Sequence, residues 1–128
     1  MVKLMRSDLE PDVCFFRREK AEKFNPEQVL FPAPDFVVEV LSPKTARLDR
    51  QDKFEEYELN GVAEYWIIDP IKQAVEQYRL QEGQYFLAGT FTYGMIECMP
   101  LEYFTFPVRA IFDPKINQQT LRELLKST

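Results

Sequence analysis

Between residues 34 and 80 the spacing of apolar positions changes from a continuous run to a helical stripe, back to a run, and then to alternation. Phe36 to Leu41 is a Val-rich run that suits a strand buried on both faces. Asp49 is placed to cap a helix, with Asp52 three residues on as a capping-box partner and Gly61 as its stop. At about 100° per residue, Arg50, Lys53, Phe54, Tyr57 and Gly61 fall in one stripe, while Gln51, Glu55, Glu56 and Leu59 lie elsewhere. Glu64 to Asp69 is a second apolar strand. Together these predict a βαβ unit with parallel strands, a right-handed crossover and the helix across one face.

The flanks read more simply. Pro11 and Asp12 open a strand in which Val13 to Phe16 is the buried run, and Met1 to Met5 is too short to assign beyond the end of a strand. Arg17 to Phe24 reads as a charged turn or short helix, followed by an extended Pro-rich connector to Pro34. Ala74 to Leu80 and Tyr85 to Gly89 form a hairpin around a polar turn containing Gly83. Thr90 to Phe112 reads as aromatic-rich edge strands and loops. Asn117 is the expected cap of a closing amphipathic helix at about 117–126 with Leu121, Leu124 and Leu125 on one side. No repeat or linker interrupts the chain, so residues 1–128 are expected to form a single domain with its core in 10–112.

Composition narrows the chemistry. With 45% hydrophobic and 29% charged residues, the chain has the make-up of a soluble globular protein. No run approaches membrane-spanning length and the first residues lack a signal core, so the cytoplasm is the expected compartment and a membrane is not an expected partner. The absence of histidine excludes Ser-His and Cys-His nucleophiles and His-ligated zinc. Cys14 and Cys98 sit in no metal-binding spacing and are expected to be buried free thiols. A net charge of −5 argues against a surface that coats nucleic acid. Two local basic clusters, Arg17, Arg18, Lys20 and Lys23, and Lys44, Arg47, Arg50 and Lys53, flank the acidic strands; such clusters are most often solvated faces.

One residue breaks the first apolar run. A carboxylate there, Glu39, is costly unless it is paired, hydrogen-bonded or metal-bound. Lys53 shares a stripe with Phe54 and Tyr57. If that stripe packs on the sheet, the ammonium is aimed at the strand of Glu39 and should sit within about 6 Å of its carboxylate. The plainer alternative is that Asp12 merely opens a strand, Glu39 pairs with Arg50, and Lys53 lies along the helix surface.

Pro11-Asp12 on one strand, Glu39 on the next and Lys53 on the following helix resemble the PD-(D/E)xK nuclease superfamily. More narrowly, P-D-F-V-V-E-V-L-S-P followed by D-R-x-x-K-F-x-x-Y-x-x-x-G-V-x-E-Y-W-I-I-D-P resembles the restriction-endonuclease domains of the Uma family, from about Glu10 to Tyr78 and loosely to Phe112. By this resemblance Asp12 matches the metal-binding aspartate and Glu39 the second acid. Two residues after Glu39 stands Leu41 where the superfamily has lysine, and Lys53 on the helix takes that place. Asp35 matches a second Pro-Asp; four strand residues from Glu39, about 13 Å, it reads as a strand-end group and not a ligand.

The resemblance implies an α/β, restriction-endonuclease-like mixed sheet with a central βαβ crossover. It also implies DNA as substrate and a phosphodiesterase site holding Mg2+ or Mn2+ on Asp12 and Glu39, with Lys53 completing the catalytic set. Family members usually carry a further N-terminal segment that this sequence lacks. The expected fold is therefore N-terminally truncated, and a homodimer is expected to cover the sheet. The alternative function is an inactive relative acting as a DNA- or protein-binding module; a purely structural subunit is a third.

Overall fold

The computed structural model describes residues 2–3, 8–9, 11–28, 31–44 and 49–126. Arg47 of the second basic cluster lies outside them. The central sheet has five strands, β3 (Val13–Phe15), β4 (Phe36–Val40), β5 (Glu64–Asp69), β6 (Ala74–Gln81) and β7 (Gln84–Phe91), in that spatial order. Only β4 and β5 are parallel; the other neighbours are antiparallel, so the sheet is mixed. Short β1 (Val2–Lys3) pairs with β2 (Asp8–Leu9), and α1 (Arg18–Ala21) follows β3.

The βαβ unit explains the layering. Residues alternate between faces along β4 and β5, and the two faces feed different cores. Val37, Leu41, Tyr65 and Ile67 pack with Tyr57 and Val62 on the helix side. Phe36, Val38 and Trp66 pack on the other side with Val75, Ile96, Cys98 and Val108. The helix itself is α2 (Phe54–Leu59), entered through a π-helical turn at Asp49–Lys53. Asp49 thus opens the helix as the first residue of a π turn and not as the N-cap of an α-helix. The helix ends as expected: Val62 N–H donates to the Tyr57 carbonyl (3.1 Å) and Gly61 N–H to that of Glu58 (3.2 Å), with Gly61 at φ +74°. This is a Schellman closure, which requires the left-handed region that glycine enters freely.

The hairpin β6–β7 turns through Glu82 (φ 53°) and Gly83 (φ 78°), the positive-φ pair that a two-residue loop demands. Beyond it, β8 (Met95–Cys98) and β9 (Phe104–Pro107) form their own two-stranded ribbon, joined through a 3-10 turn at Met99–Leu101. A buried polar network fastens the ribbon to the main sheet. Glu64, fully buried at the start of β5, accepts from Trp66 Nε1 (2.7 Å), Gln77 Nε2 (3.1 Å) and Arg79 Nε (2.9 Å). Gln77 Nε2 and Arg79 Nη2 also donate to the Glu97 carbonyl on β8, at 2.6 and 3.0 Å. Beside this network, burial and the Glu64 charge push the Cys98 thiol up to about 12, which makes it inert.

Several expectations are corrected. Cys98 is buried, but Cys14 is exposed and so is Val13, because among the described residues β3 is the edge of the sheet and only β4 flanks it. After α3 (Arg109–Phe112), the closing helix α4 runs Pro114–Lys126 and is capped by Asp113, whose Oδ1 accepts from Lys115 N–H at 2.9 Å. Asn117 lies inside that helix and donates from Nδ2 to the Ala110 carbonyl at 2.9 Å. Asp35, by contrast, is the strand-end group expected: its Oδ2 accepts from Arg17 N–H (2.7 Å) and its Oδ1 lies 3.3 Å from Lys20 Nζ.

Candidate active site

The three sequence-predicted residues converge. Extending the β3–β4 register by one residue sets Asp12 opposite Glu39, the position of closest cross-strand approach. The backbone locks the pair: Asp12 N–H donates to Glu39 Oε1 (3.0 Å), and Val40 N–H donates to Asp12 Oδ2 (2.7 Å). Lys53 reaches the same carboxylate from the helix, with Nζ 3.0 Å from Glu39 Oε2. Tyr57, one turn further on, donates its hydroxyl to that oxygen at 3.0 Å. Tyr57 stood on the predicted stripe, but as a packing residue; its part in the site went unread.

Exposure differs across the site. Glu39 and Tyr57 are fully buried, Lys53 is 15% exposed, and Asp12 faces solvent. Burial raises the Glu39 carboxyl above the usual range, against the lowering effects of the Asp12 amide, the Lys53 ammonium and the Tyr57 hydroxyl. The buried carboxyl therefore holds its proton more readily than a solvated glutamate does, even with three donors in place. Its partner is Lys53 and not Arg50, whose Nη1 donates to both carboxylate oxygens of Glu76 on β6, at 2.8 and 2.7 Å. Glu64 had the same sequence signal as Glu39, an acid inside an apolar run, yet its contacts are those of the ribbon clamp and it lies on the opposite face.

A mixed sheet with a parallel central pair and one crossover helix defines a mixed α/β fold, and two acids and a lysine meet at the ends of its adjacent elements. The fold matches a crystal structure described as a "putative nuclease belonging to DUF820" from Anabaena variabilis, at 23% identity and a TM-score of 0.51, covering 62% of this chain and 45% of that one. The chain thus spans less than half the length of that protein. The family model described as "Putative restriction endonuclease", Uma2, matches residues 2–108. The chain belongs to the Uma2 family. No curated protein matches it.

Proposed function

We propose that the chain is a divalent-metal-dependent endonuclease that hydrolyses DNA phosphodiester bonds, with Asp12, Glu39 and Lys53 as its catalytic residues. The observation that carries this reading is the convergence of Lys53 Nζ and Tyr57 Oη on the one fully buried carboxylate that faces Asp12 across the β3–β4 pair.

The donor set suits Mg2+ or Mn2+. Asp12 and Glu39 are hard oxygen donors brought together from neighbouring strands. Among the described residues no group of three or more His, Cys, Asp or Glu is arranged to hold a metal. Mg2+ binds through one or two carboxylates and keeps several waters, so two acids suffice to anchor it. Bound there, such an ion would supply Lewis acidity to a phosphate oxygen and to water.

The protein's own groups do the rest. Tyr57 and the Asp12 amide fix the Glu39 carboxylate, so the acid need not reorganise when substrate arrives. Lys53 holds a positive charge at the buried end of the site, where it can orient a water or stabilise charge developing on phosphate. Asp12, on the solvent side, is the acid that substrate and ion meet first.

Calorimetric titration with Mn2+ tests the metal assignment. Wild-type protein is expected to bind and Asp12→Asn to bind at least tenfold more weakly, in line with the ~10–100-fold cost of disturbing metal-site groups. Folded wild-type protein that binds DNA but no Mn2+ would instead identify a non-catalytic binding module. We further propose a cytoplasmic location and a homodimer, the latter from the apolar groups left open on the β3 edge and on α4, where Val13, Leu121 and Leu125 are 55%, 52% and 75% exposed.

A further inference from the structure

The strand registers carry one more feature of the helix-side face. Glu39 on β4 lies beside Ile67 on β5, and Ile67 lies beside Glu76 on β6, so the two acids stand in one row two strands apart, roughly 9.6 Å. The single π turn at Asp49–Lys53 covers both: Lys53 meets Glu39 and Arg50 meets Glu76. In an α-helix, side chains three residues apart diverge by only about 60°. The wider π turn splays them further, and that lets neighbouring cations reach strands on either side of β5.

The two pairs differ in access. Lys53 is 15% exposed over a fully buried acid, whereas Arg50 is 40% exposed over an acid that is itself 21% exposed. Glu76 does not depend on Arg50 alone, because its own partial exposure lets water take the place of the guanidinium. The other nearby acid, Asp69, is committed to its turn, accepting from Ile71 and Lys72 N–H at 3.0 and 3.1 Å. Arg50 is thus a guanidinium next to the candidate site whose partner can release it without being stranded.

We propose that Arg50 is a phosphate-contacting residue of this site, held ready by Glu76 and transferred to a backbone phosphate of DNA when duplex is bound. The inference rests on the nuclease reading above and adds to it a named contact and a latch. A guanidinium suits the exchange because its fork matches a carboxylate and a phosphate equally well. Without release, both cations are spent on the row's own acids, and with Asp12 beside Glu39 the row offers an incoming polyanion no net positive charge.

The test measures binding apart from cutting. Fluorescence anisotropy of a labelled DNA duplex is followed over a salt series with full-length Glu39→Gln protein as parent, then with Arg50→Ala, Arg50→Lys or Glu76→Gln added. Arg50→Ala is expected to weaken binding about tenfold and to lower the salt slope by about one. Arg50→Lys recovers part of that loss, and Glu76→Gln, which frees the guanidinium, strengthens binding severalfold. A structural ion pair predicts otherwise, since both single losses would lower the melting temperature and shift binding the same way. Affinity changes of the same sign in Arg50→Ala and Glu76→Gln, or an unchanged salt slope in Arg50→Ala, would overturn the proposal. Plasmid cleavage by wild-type protein separates the two claims. Opposed binding shifts with no cleavage remove hydrolysis and keep the phosphate contact, whereas cleavage without opposed shifts removes the latch and keeps the nuclease.

Discussion

At Glu39 three donors do not offset the burial of one carboxylate, and this imbalance gives a pH dependence with a defined sign. The folded-state pKa is raised, so the folded protein holds the proton more tightly than the unfolded chain. Glu39's contribution to stability is therefore fully present below its unfolded value and is lost as pH rises through the folded one. Urea unfolding of wild type and Glu39→Gln at pH 5 and pH 8 should show the difference moving in favour of wild type at the lower pH; movement the other way would contradict this charge balance. The acid and its lysine were legible in the sequence because a charge inside an apolar strand and a charge on an apolar helix stripe both demand a partner. Arg50 was not legible. Its direction was read at 100° per residue, and the π turn that redirects it to Glu76 breaks that period.

The crossover helix depends on its two ends, and only one was readable. Gly61 followed from the helical pattern, and its role is purely conformational, since a Cβ there would meet nothing within 4 Å while φ is +74°. Gly61→Ala should therefore cost about 1–2 kcal/mol through backbone strain alone, measured by urea denaturation. Because the same helix carries Lys53 and Tyr57, the variant tests how far site geometry depends on this closure. At the closing helix the signal was Asp113 followed by Pro114, an N-cap with proline at the first turn. Asp113→Ala is expected to cost about 1 kcal/mol, and Asn117→Ala less than that if capping is the larger effect. The β8–β9 ribbon was legible only as short aromatic strands. Its docking depends on Glu64, Gln77, Arg79 and the Glu97 carbonyl, contacts 13 to 35 residues apart that no local period records.

For the molecule as a whole, the family and the mixed sheet with its central parallel pair were carried by motif spacing, while assembly depends on surfaces. The apolar groups open on β3 and α4 lead to an expected two-fold association. Sedimentation equilibrium over a concentration series should give a mass above 15.2 kDa that rises with concentration, and a constant 15.2 kDa would show that the sheet edge and helix stripe are tolerated in water. The central claim concerns chemistry, and cleavage of supercoiled plasmid in Mg2+ tests it most directly. Wild-type protein is expected to nick and linearise the plasmid, Glu39→Ala to lose on the order of a hundredfold or more in rate, and chelation of the metal to stop both. No cutting by wild type, or equal cutting by wild type and Glu39→Ala, would contradict the account.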